Sequence, residues 1–89
     1  MSRLTSFSFT REAFADYEEI KARDPKMAQK IKDLILNIME TPYSGLGKPE
    51  PLRFELSGCW SRRITQQHRM VYRIVDNSLQ VLSCRYHYK

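Results

Sequence analysis

From Pro25 to about Glu40 the apolar residues Met27, Ile31, Leu34, Ile35 and Ile38 recur at three- and four-residue intervals, and Lys26, Lys30, Lys32 and Asp33 lie off that stripe. This spacing predicts an amphipathic helix. Asp24 is placed to cap it, and Pro25 suits its first turn. Upstream, Phe14, Tyr17 and Ile20 stand three apart between Arg11 and about Ala22, which predicts a second helix capped by Thr10. The short break between the two favours an antiparallel helical hairpin. Leu4, Phe7 and Phe9 alternate imperfectly with Ser and Thr, marking a short first strand over Leu4 to Phe9.

Period three gives way to period two in the second half. Thr41 to Pro51 reads as a loop, because its Gly and Pro residues bar regular structure. Leu52 to Leu56 reads as a short strand, and Trp60 to Thr65 as another. Gln66-Gln67 turns the chain. Met70, Tyr72 and Ile74 then alternate along Arg69 to Val75, Asp76-Asn77 turns again, and Leu79 to Tyr88 completes a meander. Helices first and strands later predict an α+β fold. After the short first strand, two N-terminal helices pack on one face of a mostly antiparallel, twisted sheet. A chain of 89 residues fills one core, so a single domain is expected over 1–89.

The alternation also sorts the cations. With Met70, Tyr72, Ile74, Leu82, Cys84 and Tyr86 turned toward the helices, Arg69, Arg73, Arg85 and His87 take the opposite face. Arg62 and Arg63 are adjacent and point opposite ways. Pattern alone does not decide between them; Arg63 is assigned to the open face. Charge sharpens this picture. Fifteen Lys and Arg outweigh ten Asp and Glu, a formal charge of +5, and beyond Glu55 the only acid is Asp76. The C-terminal third is thus a positive field built mostly of Arg, whose planar fork suits phosphate. Nucleic acid is the first partner such a field suggests, and an acidic protein the second. Cys59 and Cys84 match no metal-ligand spacing and read as free thiols. The segment MSRLTSFSFT lacks the apolar stretch of a signal peptide, and no run approaches the roughly 20 apolar residues of a membrane span. A soluble, cytoplasmic protein with no membrane partner is expected.

An acid beside an Arg-rich sheet suits cleavage of RNA, whose own 2′-hydroxyl is the nucleophile, so that neither metal nor other cofactor is required. Such cleavage needs a base for the 2′ proton, positive charge for the phosphorane and an acid for the leaving 5′ oxygen. Glu50, stiffened between Pro49 and Pro51, is the candidate base. Arg63 and Arg69 are candidates to clamp the phosphate. His87 is the candidate acid, and Tyr88 a residue to stack on a base or orient the scissile group. The base is the weak point, since a carboxylate of ordinary pKa, about 4.3, accepts poorly from a ribose hydroxyl. Each residue also has an inert reading. Glu50 as a solvated loop acid, the arginines as surface contacts, His87 as a bystander near the terminus and Tyr86 and Tyr88 as packing residues all fit the same pattern. His68 reads as a turn residue or ion-pair partner.

The stretch from Gly45 onward resembles YoeB/Txe toxins of the RelE superfamily. The residues that carry the resemblance are Gly45 to Leu52 (GLGKPEPL), Leu56 to Ile64 (LSGCWSRRI), His68 to Tyr72 (HRMVY), Cys84 to Tyr88 (CRYHY) and the TP-x-x-G of Thr41 to Gly45. The similarity weakens over the first 25 residues. It implies a RelE-like fold and ribosome-dependent cleavage of mRNA in the A site. It also implies a homodimer, a YefM-type antitoxin that neutralises the toxin, and contact with operator DNA only through the antitoxin complex. The family's catalytic positions fall on Glu50 as base, Arg69 as phosphate stabiliser and His87 as acid, with Tyr88 supporting. Arg63 matches an arginine of the family site, and Arg53 sits where Lys is common. Lys48 and Arg73 complete the expected phosphate- and RNA-binding set. Departures are few: Cys59 replaces an aromatic, Gln66-Gln67 replaces acids, and Lys89 extends the tail. Two other readings stand beside this one. A non-catalytic, ParE-like toxin acting on a protein target does not require the Glu50, Arg69, His87 set. A plain nucleic-acid-binding module predicts that arginine changes weaken binding while His87→Ala alters little.

Overall fold

The computed structural model describes residues 4–86, and the predicted site residues His87 and Tyr88 lie outside them, as does the last part of the predicted final strand. Strand β1, Ser6–Phe9, leads into helix α1, Arg11–Arg23, and helix α2, Pro25–Glu40. Thr10 caps α1 by accepting from the Ala13 N–H at 3.1 Å. Asp24 serves both helices. Its N–H reaches back to the Ile20 carbonyl at 2.7 Å, and its carboxylate accepts from the Met27 N–H at 3.1 Å. One residue therefore ends α1 and starts α2, and Pro25 follows at a position where its missing N–H costs nothing.

In α2 the buried face is Met27, Ala28, Ile31, Leu34, Ile35 and Ile38, the predicted stripe with one alanine added. The stripe of α1 is offset from expectation. Ala13, Tyr17 and Ile20 are buried, whereas Phe14 is 51% exposed. Spacing of four and then three, rather than three and three, keeps the short Ala13 under the sheet and turns Phe14 outward.

The remaining strands are β2, Glu50–Pro51; β3, Trp60–Arg63; β4, Arg69–Val75; and β5, Ser78–Tyr86. They form a five-stranded sheet in the order β1-β5-β4-β3-β2. β2 to β5 are an antiparallel meander, and β1 lies parallel to β5, with Ser6 opposite Ser78 and Phe9 opposite Val81. Asp76 and Asn77 both take positive φ, 51° and 62°, as a type I′ hairpin requires, and Val75 pairs with Ser78 across them. The strand expected at Leu52 to Leu56 is displaced. Pairing begins earlier, at Glu50, and Phe54–Leu56 is a 3₁₀ turn. The reason is local, since Phe54 adopts φ 59° and breaks the extended path.

The helices cover one sheet face, burying Ile64, Met70, Tyr72, Leu79, Val81 and Cys84 against α1 and α2. The opposite face is not open throughout. Leu52, Cys59 and Val71 form a second apolar cluster there, joined by Leu56, Leu82 and Tyr86. Leu82 and Tyr86 were expected on the helix side. Two register shifts explain the difference: Tyr86 lies opposite Arg69, Ser83 opposite Val71 and Val81 opposite Tyr72. β5 thus carries an extra residue at each step, and each extra residue reverses the in-out alternation. Cys84 stays on the helix side, where its N–H donates to Asp16 Oδ2 of α1 at 3.0 Å. Arg85, expected on the basic face, pairs instead with Glu19 of α1 at 2.7 Å.

Candidate active site

Adjacent strands β3 and β4 put Ser61 and Arg63 on the face that also carries Arg69, Val71 and Arg73, the face away from the helices. Arg69 sits at the start of β4 opposite Arg63. It is only 8% exposed. Its Nε donates to Ser61 Oγ at 2.8 Å. Its Nη2 donates to the Lys48 carbonyl at 3.0 Å and to the Ser61 carbonyl at 3.3 Å. The same Nη2 faces Glu50 Oε1 at 3.4 Å. The guanidinium is thus held from below by β3 and from the side by the loop, with its charge turned toward a carboxylate that is half-exposed. A buried cation held by several acceptors moves little, so its direction is set before any ligand arrives.

Glu50 owes its place to β2. Its backbone pairs with Ser61, the residue that also anchors Arg69. Acid and guanidinium are therefore referenced to one point in the sheet. Arg63 is exposed beside them, and together with Arg69, Thr65, Gln66 and Gln67 it lines a polar cavity of about 180 Å³. Arg63 on this face is as expected. Its sequence neighbour Arg62 is fully buried on the helix side, with Nε donating to Tyr72 Oη at 3.2 Å.

The other expected phosphate contacts are spread more widely. Lys48 gives its carbonyl to Arg69, while its side chain is exposed on a backbone at φ 53°. Arg53 is exposed and precedes the 3₁₀ turn, with its carbonyl accepting from Leu56 N–H at 3.1 Å. Arg73 shares the face but stands four residues along β4 from Arg69, roughly 13 Å at strand rise. Its Nε donates to Gln80 Oε1 at 2.6 Å. The structure therefore brings together Glu50, Arg69 and Arg63 and does not gather Arg73 with them. Ser61 was not foreseen as part of the site. Its parity with Arg63 and Arg69 was readable, but nothing in the sequence marks a serine as an anchor for arginine.

Two helices on one face of a mostly antiparallel five-stranded sheet is a fold this chain shares with small bacterial toxins. A YoeB/ParE toxin from Agrobacterium tumefaciens superposes with a TM-score of 0.91 at 46% identity, covering 94% of this chain and all of that one. Staphylococcus aureus YoeB has been solved as a dimer and in a heterotetrameric complex with YefM. It is 42% identical in both, covers 98% of this chain and all of the other, and gives TM-scores of 0.89 and 0.86. Toxin YoeB of Escherichia coli K12 is 48% identical over 80 residues, which is 90% of this chain and 95% of the relative. Residues 9–88 match the family described as YoeB-like toxin of bacterial type II toxin-antitoxin system, and the chain belongs to that family.

Proposed function

We propose that the protein is a ribosome-dependent endoribonuclease that cuts mRNA in the A site without a metal ion. Glu50 takes the proton of the 2′-hydroxyl as that oxygen attacks phosphorus. The P–O5′ bond breaks, and His87 protonates the departing O5′, leaving a 2′,3′-cyclic phosphate and a 5′-hydroxyl. Arg69 stabilises the extra charge of the phosphorane. Tyr88 supports the scissile group, and Arg63, Arg53, Lys48 and Arg73 hold the strand on either side.

The observation that carries this reading is the 3.4 Å pair of Glu50 with a buried, multiply anchored Arg69. An arriving phosphodiester competes with Glu50 for the same guanidinium. Binding therefore frees the carboxylate beside the ribose hydroxyl at the moment when the base is needed. The net charge of +5 favours docking on ribosomal RNA. Unpaired, splayed mRNA in the decoding site suits in-line attack. Homodimerisation and neutralisation by a YefM-type antitoxin are supported by the assemblies in which the S. aureus relative was solved. In this reading the toxin works in the cytoplasm and meets operator DNA only as part of the antitoxin complex.

Single-turnover cleavage of ribosome-bound mRNA tests the proposal. Wild type is expected to generate 5′-hydroxyl ends on programmed ribosomes, and His87→Ala to lose cleavage while keeping its fold and its antitoxin binding. Glu50→Ala is expected to slow the reaction less completely than His87→Ala. A His87→Ala variant that cuts at the wild-type rate defeats the catalytic assignment. A wild type that arrests growth without new mRNA ends points to a protein target instead.

A further inference from the structure

The loop from Thr41 to Pro49 has no ladder of its own, and it takes positive φ at Gly45, Gly47 and Lys48. Its shape has to be imposed from outside. Six of its nine carbonyls, those of Thr41, Pro42, Ser44, Leu46, Gly47 and Lys48, are held by the adjacent sheet. Arg62 Nη2 donates to the carbonyls of Thr41 at 2.6 Å and Ser44 at 2.9 Å. Its Nη1 donates to the Leu46 carbonyl at 3.0 Å and to Asn37 Oδ1 at 2.6 Å, and Asn37 Oδ1 in turn accepts from the Leu46 N–H at 3.0 Å. Tyr72 Oη accepts from Arg62 Nε and donates to the Pro42 carbonyl at 2.7 Å. The Gly47 carbonyl accepts from the Arg63 N–H at 2.6 Å, and the Lys48 carbonyl goes to Arg69. Two residues later the chain delivers Glu50.

Arg62 is fully buried, and among the described residues no carboxylate forms an ion pair with it. Neutral dipoles alone answer its charge. Burying a cation in this way is unfavourable, and an apolar side chain of the same length fills the space without that penalty. What only a guanidinium supplies is a rigid fork of five donors that fixes the directions of several carbonyls at once.

We infer that Arg62 is a positioning residue for the catalytic base: from the core side of the sheet it sets the path of the loop that presents Glu50 to Arg69. The inference rests on the nuclease reading above, and the role is distinct from substrate contact. Arg62 lies behind the sheet and acts through the loop. Misplacing a reacting group by about 1 Å costs up to roughly a hundredfold in rate. Loosening this loop is therefore expected to lower kcat far more than it weakens binding.

The test compares wild type, Arg62→Lys and the milder Asn37→Ala, which removes one acceptor and leaves Arg62 in place. Amide hydrogen exchange, thermal unfolding and cleavage of ribosome-bound mRNA are followed on each, at a temperature where all are folded. Faster exchange is expected at Ser44 to Lys48 with unchanged exchange in β4. The accompanying kcat loss is expected to be about tenfold to a hundredfold for Arg62→Lys and smaller for Asn37→Ala, with KM within about threefold of wild type. Partial retention of activity by Arg62→Lys against none in Arg62→Met is the expected rescue by a conservative change. Loosened loop amides with undiminished kcat overturn the positioning role, as does a loss of activity that only tracks the unfolded fraction. If Arg62→Lys does not fold, Asn37→Ala decides by the same readings. A wild type that cuts nothing removes the nuclease reading itself, an outcome separate from an active wild type with fully active variants.

Discussion

Deleting one buried oxygen tests whether Arg69 is held as the structure describes. Ser61 is fully buried, and its Oγ accepts from Arg69 Nε at 2.8 Å. Ser61→Ala removes that acceptor and little volume, and the space left is smaller than a water molecule needs. A hydrogen bond to a charged group contributes about 1.5–3 kcal/mol, and its loss leaves a charged donor short of a partner where solvent does not reach. For a domain of this size that corresponds to a fall in Tm of roughly 6–24 °C. The Ser61 carbonyl and the Lys48 carbonyl still hold Nη2, so the guanidinium should loosen rather than leave. Urea unfolding at fixed protein concentration measures the cost. A double-mutant cycle with Arg69→Met isolates the pair, because Ser61→Ala should cost little once the guanidinium is gone. A coupling energy of about 1.5–3 kcal/mol is expected. If Ser61→Ala costs the same with and without the arginine, Ser61 does not anchor Arg69, and the claim that Arg69 is fixed before substrate arrives falls with it.

Two further outcomes follow from the same geometry. Gly47 has φ 79°, and an added Cβ would stand 2.9 Å from the Arg63 carbonyl and 3.0 Å from Leu34 Cδ2. At Gly58, with φ 93°, an added Cβ meets nothing within 4 Å. Both substitutions to Ala carry backbone strain of about 1–3 kcal/mol, but Gly47→Ala should be the costlier and should also displace the loop before Glu50; equal losses in urea unfolding would show that the close approach is not felt. Burial, with a smaller contribution from Asp16 and opposed by Arg85, pushes the Cys84 thiol from 9.0 up to about 12. The unfolded thiol ionises near pH 9 while the folded one keeps its proton, so the unfolded state gains and stability falls as pH rises from about 9 toward 12. Relative to Cys84→Ala, wild type should be steady at neutral pH and lose ground above about pH 9, and parallel unfolding profiles up to about pH 11 would contradict the effect of burial on the thiol.

Local chemistry was enough to read much of this protein from its sequence. A stripe repeating at helical spacing means helix wherever it occurs, and Thr10, Asp24 and Pro25 act on residues at most a few positions away. The Asp76-Asn77 hairpin is equally local, since both residues tolerate positive φ. Parity along β4 placed Arg69 and Arg73 on the face away from the helices, and Arg63 of β3 lies there too. Tertiary structure alone decided the rest. β1 joins β5 across more than seventy residues, in parallel, and no short-range pattern encodes that choice. The two register shifts in β5 arise from pairing with β4, and they send Leu82 and Tyr86 to the face opposite the one that simple alternation gave them. They also accompany the pairing of Arg85 with α1. Arg62 and Arg63 are identical in type and adjacent in sequence, yet one is sealed among loop carbonyls and the other is exposed beside the acid. The difference lies in what the folded chain brings to each side of β3, because burial and hydrogen-bond partners belong to the assembled structure and not to the residue.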